Sequence, residues 1–191
     1  MAEVKSVLFV GVGGQGTILA SKILTIGLIE HGYDVKMSEV HGMSQRGGSV
    51  STQVRFGHTV YSPIIGEGSA DILVSFEEME AARYAGMLKK DGKIVVNAAR
   101  IPSMPILSGQ CAYPEGGIEA LKQQAPVMVV DATKIASDLG NPKSANVVLL
   151  GALVGAMGLH DIDWKAIIAK TVKPGFADIN IKAFEAGAAA V

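Results

Sequence analysis

The chain has 191 residues, 49% of them hydrophobic, which is enough for one domain with a substantial core. Its 17 Lys and Arg against 18 Asp and Glu leave a net charge of −1, so there is no global field to draw in nucleic acid or an anionic membrane. Cys111 is the single cysteine, which excludes an internal disulfide, a CxxC metal site and a self-contained iron–sulfur cluster.

The head MAEVKS carries mixed charge and runs into an apolar stretch already interrupted at Gly11, unlike a secretory signal, so a cytoplasmic protein is expected. Val4 to Val10 reads as a strand buried on both faces, and Thr17 to Glu30 as a helix with Ile18, Ala20, Ile23, Leu24, Leu28 and Ile29 at mainly helical spacings. Gly32 ends that helix and Asp34 to Val40 is the next strand, with a connection long enough to make the two strands a parallel pair. Ser49 to Phe56 alternates apolar with polar residues and is separated from Val60-Tyr61 by Gly57-His58-Thr59, which predicts a hairpin extension of the sheet.

Asp71 to Phe76 is predicted as a strand and Glu77 to Leu88 as a helix with acidic residues in its first turn. Lys89-Lys90-Asp91-Gly92 then reads as a turn into a strand at Ile94 to Asn97, and Val127 to Val130 as a further strand. Residues 101 to 117, with Pro102, Pro105 and Pro114, predict an irregular crossing with room for only a short strand around Cys111 to Tyr113. Helices follow at Thr133 to Leu139, Asn146 to Met157, Asp163 to Thr171 and Ala177 to Ala190. Ser144 to Leu159 is strongly apolar but short of the ~18 residues that span a bilayer. The expected fold is one Rossmann-like α/β domain over residues 1–191, a mostly parallel sheet with a hairpin extension and a helical C-terminal segment.

Two glycine-rich loops carry the functional signal. GVGGQG, Gly11 to Gly16, lies between the first strand and helix, where Gly11, Gly13, Gly14 and Gly16 permit tight turns and close approaches and free N–H groups suit a phosphate. HGMSQRGG, His41 to Gly48, follows the second strand and packs Gly42, Ser44, Gln45, Arg46, Gly47 and Gly48 into seven positions. Arg46 offers a planar fork of donors to a carboxylate or phosphate, and Gln45 both donates and accepts. Three readings remain open on these residues: a ligand or partner surface, a dinucleotide site in which Glu39 takes a ribose hydroxyl, and purely structural turns with Arg46 paired to Glu39. Glu39 lies 28 residues beyond Gly11, farther than the usual ~20.

GVGGQG, EVHGMSQRGGSV at Glu39 to Val50 and NVVLLGALVG at Asn146 to Gly155 together resemble the small subunit of indolepyruvate ferredoxin oxidoreductase, and more broadly the gamma subunits of 2-oxoacid ferredoxin oxidoreductases. The resemblance spans nearly the whole chain. It implies a larger partner subunit carrying thiamine diphosphate and iron–sulfur clusters, coenzyme A as co-substrate, ferredoxin as electron acceptor, and oxidative decarboxylation of a 2-oxoacid to its acyl-CoA. No nucleic acid or membrane partner is implied. The loop residues Gly11, Gly13, Gly14, Gln15, Gly16, Glu39, His41, Gly42, Ser44, Gln45, Arg46, Gly47 and Gly48 are expected to form one edge surface facing the large subunit or an anionic ligand.

Other residues read more plainly. His31, His41, His58 and His160 have no metal-ligand spacing, and His41 alone leaves two readings open, a donor to a substrate carboxylate or a loop histidine satisfied by backbone, the second favoured. Cys111 is expected as a buried thiol in a proline-rich stretch. Glu77, Glu78 and Glu80 are assigned to compensating a helix dipole, and Ala152, Gly155, Ala156 and Gly158 to close packing of a core or interface helix.

Overall fold

The computed structural model describes residues 3–42 and 47–191. One six-stranded sheet, in the order β2-β3-β1-β4-β5-β6, runs through the molecule. Its strands are β1 (Lys5–Val12), β2 (Asp34–His41), β3 (Ser49–Gly57), β4 (Ala70–Ser75), β5 (Leu88–Asn97) and β6 (Val127–Val130). β3 is antiparallel to both its neighbours, while β4 pairs parallel with β1, and β5 and β6 continue in the same sense.

Alternation along β1 divides the core. Val7 and Phe9 join one apolar cluster with α1 (Thr17–Glu30) and α6 (Ala145–Met157), whereas Leu8 and Val10 join a second. Ala81 of α2 (Glu78–Tyr84) and Leu121 of α4 (Gly117–Lys122) belong to that second cluster. The sheet is therefore buried on both faces where β1, β4 and β5 lie, which is why these strands read as unbroken apolar runs.

The remaining helices are α3 (Met104–Leu107), α5 (Ala132–Asp138), α7 (Trp164–Thr171) and α8 (Ala177–Ala188). The α6–α8 contact is a backbone approach. A Cβ on Gly187 would lie 1.8 Å from Val148 O, and one on Gly151 2.0 Å from Phe184 O. The small-residue face of α6 thus serves an internal helix, through Gly151 as well as Gly155.

Five local expectations are corrected. β1 and β2 do run in the same direction, yet they are not paired, because β3 inserts between them and bonds to both. The antiparallel extension is the β2–β3 pair, and Val60-Tyr61 forms no strand; Val60 N–H instead donates to Asp34 Oδ2 at 2.8 Å. Helix α2 stops at Tyr84, and Ala85–Met87 is a 3₁₀ turn. Lys89 to Gly92 lies inside β5 as an irregularity, since Ala70 pairs with Leu88 and Ile72 with Lys93. No strand forms at Cys111 to Tyr113; the crossing contains the short helix α3.

Candidate functional site

Both glycine loops leave the same edge of the sheet. Gly14 has φ +105° and Gly16 φ +83°, conformations that favour glycine, and they turn β1 sharply into α1. Gly16 also approaches α6: an added Cβ would meet Asn146 Nδ2 at 2.5 Å, and that nitrogen donates to Gly16 O at 3.1 Å. The close approach expected of this glycine is therefore toward a helix rather than the sheet.

Gln15 is a strut inside its own loop. Its Oε1 accepts from Val12 N at 2.7 Å, and its Nε2 donates to Phe76 O at 2.7 Å, tying the loop to the end of β4. Asn97 Nδ2 donates to the same carbonyl at 3.2 Å. Gly11 completes the junction, since a Cβ there would meet both Gln15 Oε1 and Phe76 Cβ at 2.9 Å.

The two loops are joined by main-chain bonds. Gly13 N donates to Gly48 O at 2.8 Å, and Gly47 N donates to Gly13 O at 3.2 Å. These bonds bring Gly13, Gly47 and Gly48 together. Ser44, Gln45 and Arg46 lie outside the described residues.

Between the loops is a groove of about 260 Å³ lined by Gly13, Gly14, Gly16, Thr17, Glu39 and His41, together with Ile18, Val40 and part of β3. Helix α1 opens at this groove with its positive end, and among the described residues it has no side-chain cap and no acidic residue in its first turn. His41 is exposed, its Nδ1 3.3 Å from Gly42 O, so that nitrogen donates. Glu39 does face the groove. However, β3 separates its strand from β1, which moves it outward by a further ~4.8 Å compared with an acid on an adjacent second strand.

On the other side of Gly14, Gln15 and Gly16 lies a larger cavity of about 580 Å³, which also meets Phe76, Asn97, Thr133 and Lys143. Asn97, Thr133 and Lys143 were not singled out from the sequence. Asn97 belongs here because its side chain bridges three elements, donating to Phe76 O and Thr133 Oγ1 and accepting from Ala132 N at 3.0 Å. A lone asparagine ending an apolar strand is the signal that marks such a bridge.

The acidic residues of α2 do more than offset its dipole. Glu77, fully buried, caps the helix through Glu80 N and also accepts from Ile101 N at 3.1 Å and from the Tyr113 hydroxyl. Burial, followed by that hydrogen bond to Glu77 and its charge, pushes the Tyr113 phenol well above its ordinary value. Arg100 bonds Glu78 at 2.9 Å and Glu115 at 3.2 Å, and lies 5.3 Å from the Tyr113 ring centre. These contacts pin both ends of the segment 101–113, whose helix α3 exposes Met104 and Leu107. Cys111, in the same segment, is exposed rather than buried, because the segment lies on the surface instead of adding a strand to the sheet.

Residues 6–190 match the family model described as pyruvate ferredoxin/flavodoxin oxidoreductase. The chain belongs to that family. It is 40% identical over 190 residues to the indolepyruvate oxidoreductase subunit IorB of Pyrococcus horikoshii, covering 95% of this chain and 93% of that one. The gamma subunit of a keto/oxoacid ferredoxin oxidoreductase from Geobacter sulfurreducens shares the fold, with a TM-score of 0.73 at 23% identity and 97% of each chain covered. So does part of the 2-oxoglutarate:ferredoxin oxidoreductase of Magnetococcus marinus, solved with 2-oxoglutarate, coenzyme A and succinyl-CoA bound. Its TM-score is 0.72 at 18% identity, over 98% of this chain and 31% of that longer one. The resemblance drawn from the three sequence motifs is thus the family that matches, and its members are subunits of oxidoreductases.

Among the described residues no group of three or more His, Cys, Asp or Glu is placed to hold a metal ion. The one thiol, Cys111, cannot ligate an iron–sulfur cluster alone. Among the same residues no helix is long and apolar enough to cross a membrane.

Proposed function

We infer that this chain is the small subunit of a cytoplasmic 2-oxoacid:ferredoxin oxidoreductase of the indolepyruvate type. A larger partner subunit holds thiamine diphosphate and the iron–sulfur clusters, and the assembly converts a 2-oxoacid and coenzyme A to the acyl-CoA while reducing ferredoxin. The 40% identity to an indolepyruvate oxidoreductase subunit over 95% of the chain is the observation that carries this reading.

The work of this chain lies at the edge where its glycine loops meet. Helix α1 presents uncapped N–H groups beside a groove, a setting that suits a phosphate or carboxylate. We assign this edge, with Gly11 to Gly16 and Glu39 to Gly48, to contact with coenzyme A and with the large subunit at the active-site mouth. Coenzyme A supplies the thiol that accepts the acyl group, and the chain's part is to bind and orient it. His41 supplies a donor there, and the guanidinium of Arg46 has the chemistry for the same anion.

A stand-alone dinucleotide protein fits less well, because β3 carries Glu39 away from the strand that feeds the glycine loop. Thermal unfolding of the chain with coenzyme A, NAD(H) or NADP(H) separates the readings. Stabilisation by coenzyme A alone supports the assignment. Stabilisation by a nicotinamide dinucleotide alone supports the rival, and no shift with any of them reduces the loops to protein contact.

A further inference from the structure

The corner between β4 and α2 anchors both glycine loops, and the geometry points to Glu80 as the positioning residue that sets the second loop against the first. Glu80 is 2% exposed, in the first turn of α2. Its Oε2 accepts from the hydroxyl of Ser49, and its Oε1 from Arg83 Nε at 3.1 Å. Ser49 directly follows Gly47-Gly48, so this bond grips the stem of the second loop next to the backbone that pairs with Gly13. Four residues earlier in the same corner, Phe76 O holds Gln15 of the first loop.

A carboxylate present only to offset a helix dipole does so from the first turn and needs no partner beyond the helix. Glu80 is buried, which is costly unless its oxygens are bonded, and the N-cap role is already filled by Glu77. Its two oxygens are committed instead to the loop stem and to the arginine that balances its charge. Ser49 faces Val12 in the β1–β3 register, and the Ser49–Glu80 bond adds a side-chain tie to α2, restricting how the chain leaves the strand. Glu80 thereby acts through Ser49 on the loop pair, in a role that rests on the reading that this pair faces coenzyme A.

The test uses the complex with the large subunit, assayed for ferredoxin reduction while coenzyme A and the 2-oxoacid are varied separately. Ser49→Ala is expected to raise KM for coenzyme A on the order of tenfold, as expected for losing a hydrogen bond to a charged group. KM for the 2-oxoacid should stay unchanged and kcat should fall by less than about threefold, since the chemistry is performed elsewhere. Ser49→Thr, which keeps the hydroxyl, restores the parent value. Glu80→Gln reproduces the alanine effect, and combining it with Ser49→Ala adds little, because the two residues act as one unit. Parent kinetics for Ser49→Ala, or additive effects in the double variant, would overturn the role of Glu80. Arg46→Ala, three positions upstream of Ser49, separates the levels. If it raises KM for coenzyme A while Ser49→Ala does not, the loop assignment stands and the positioning role falls; if neither does, both fall.

Discussion

Gly13 and Gly48, 35 residues apart in sequence, are joined by a 2.8 Å hydrogen bond from the amide of the first to the carbonyl of the second. This bond joins the backbone of two separate sequence motifs. It exists because β3 folds back between β1 and β2, so that the start of β3 lies beside the end of β1, with Ser49 opposite Val12. Gln15 then locks the first loop to β4.

Removing that lock tests the loop directly. Gln15→Ala should destabilise the chain by about 1–3 kcal/mol, because Val12 N loses its acceptor while Phe76 O keeps Asn97. Chemical denaturation is the measurement. The same variant should weaken any stabilisation by coenzyme A, whereas a loop indifferent to ligand would leave that shift unchanged.

Close packing of α6 on α8 sets a second expectation. Gly187→Ala places a methyl group 1.8 Å from Val148 O, so one helix must move. A loss of about 3 kcal/mol or more is expected, seen as a lowered Tm. Gly14→Ala has open space around the new carbon but a left-handed backbone, so its cost should be strain alone, about 1 kcal/mol.

Tyr113 holds the crossing segment down. Tyr113→Phe removes a donor from Glu77 and an acceptor from Met79 N, for a loss of about 1–3 kcal/mol. Limited proteolysis should then cut between residues 103 and 111 faster than in the parent. The raised phenol value has a definite sign: its stabilising contribution is complete below the ordinary value of 10.0 and is lost as pH rises through the higher folded value. Ultraviolet titration should accordingly show one late-ionising tyrosine that Tyr113→Phe removes.

At the opposite edge Asp71 governs the acid limb. Burial pushes its carboxyl upward, but the hydrogen bond from Lys89, the Ser6 amide at 2.8 Å and the charges of Lys89 and Lys5 outweigh it and hold the value below 3.8. The contribution is therefore complete above pH 3.8 and disappears as pH falls through the lower folded value. Asp71→Asn should lower stability at neutral pH and flatten the acid limb of a stability–pH curve.

Much of this architecture is legible in the sequence because it depends on local pattern. The apolar run before Gly11 and the helical spacing from Thr17 mark the first βα unit, and helix α1 spans the predicted residues. Strand order is a different matter. Nothing local to Ser49–Gly57 distinguishes an outer hairpin from a strand inserted between β1 and β2, because the choice is settled by long-range pairing. The exposure of Cys111 is hidden from the sequence for a related reason. Its apolar neighbours suggested burial, while pinning of residues 101–113 by Glu77 and Arg100 holds that segment on the surface. Glu80 reads as an ordinary first-turn acid until its contact with Ser49 is seen.

The proposed function requires that this chain work only within an assembly. Anaerobic purification of the tagged chain from its native cells, with mass spectrometry of what accompanies it and a visible spectrum of the product, tests that claim most directly. The expected result is a larger cysteine-rich partner, iron–sulfur absorbance, bound thiamine diphosphate and coenzyme A-dependent turnover of an aryl 2-oxoacid. A colourless chain recovered without a partner would contradict it.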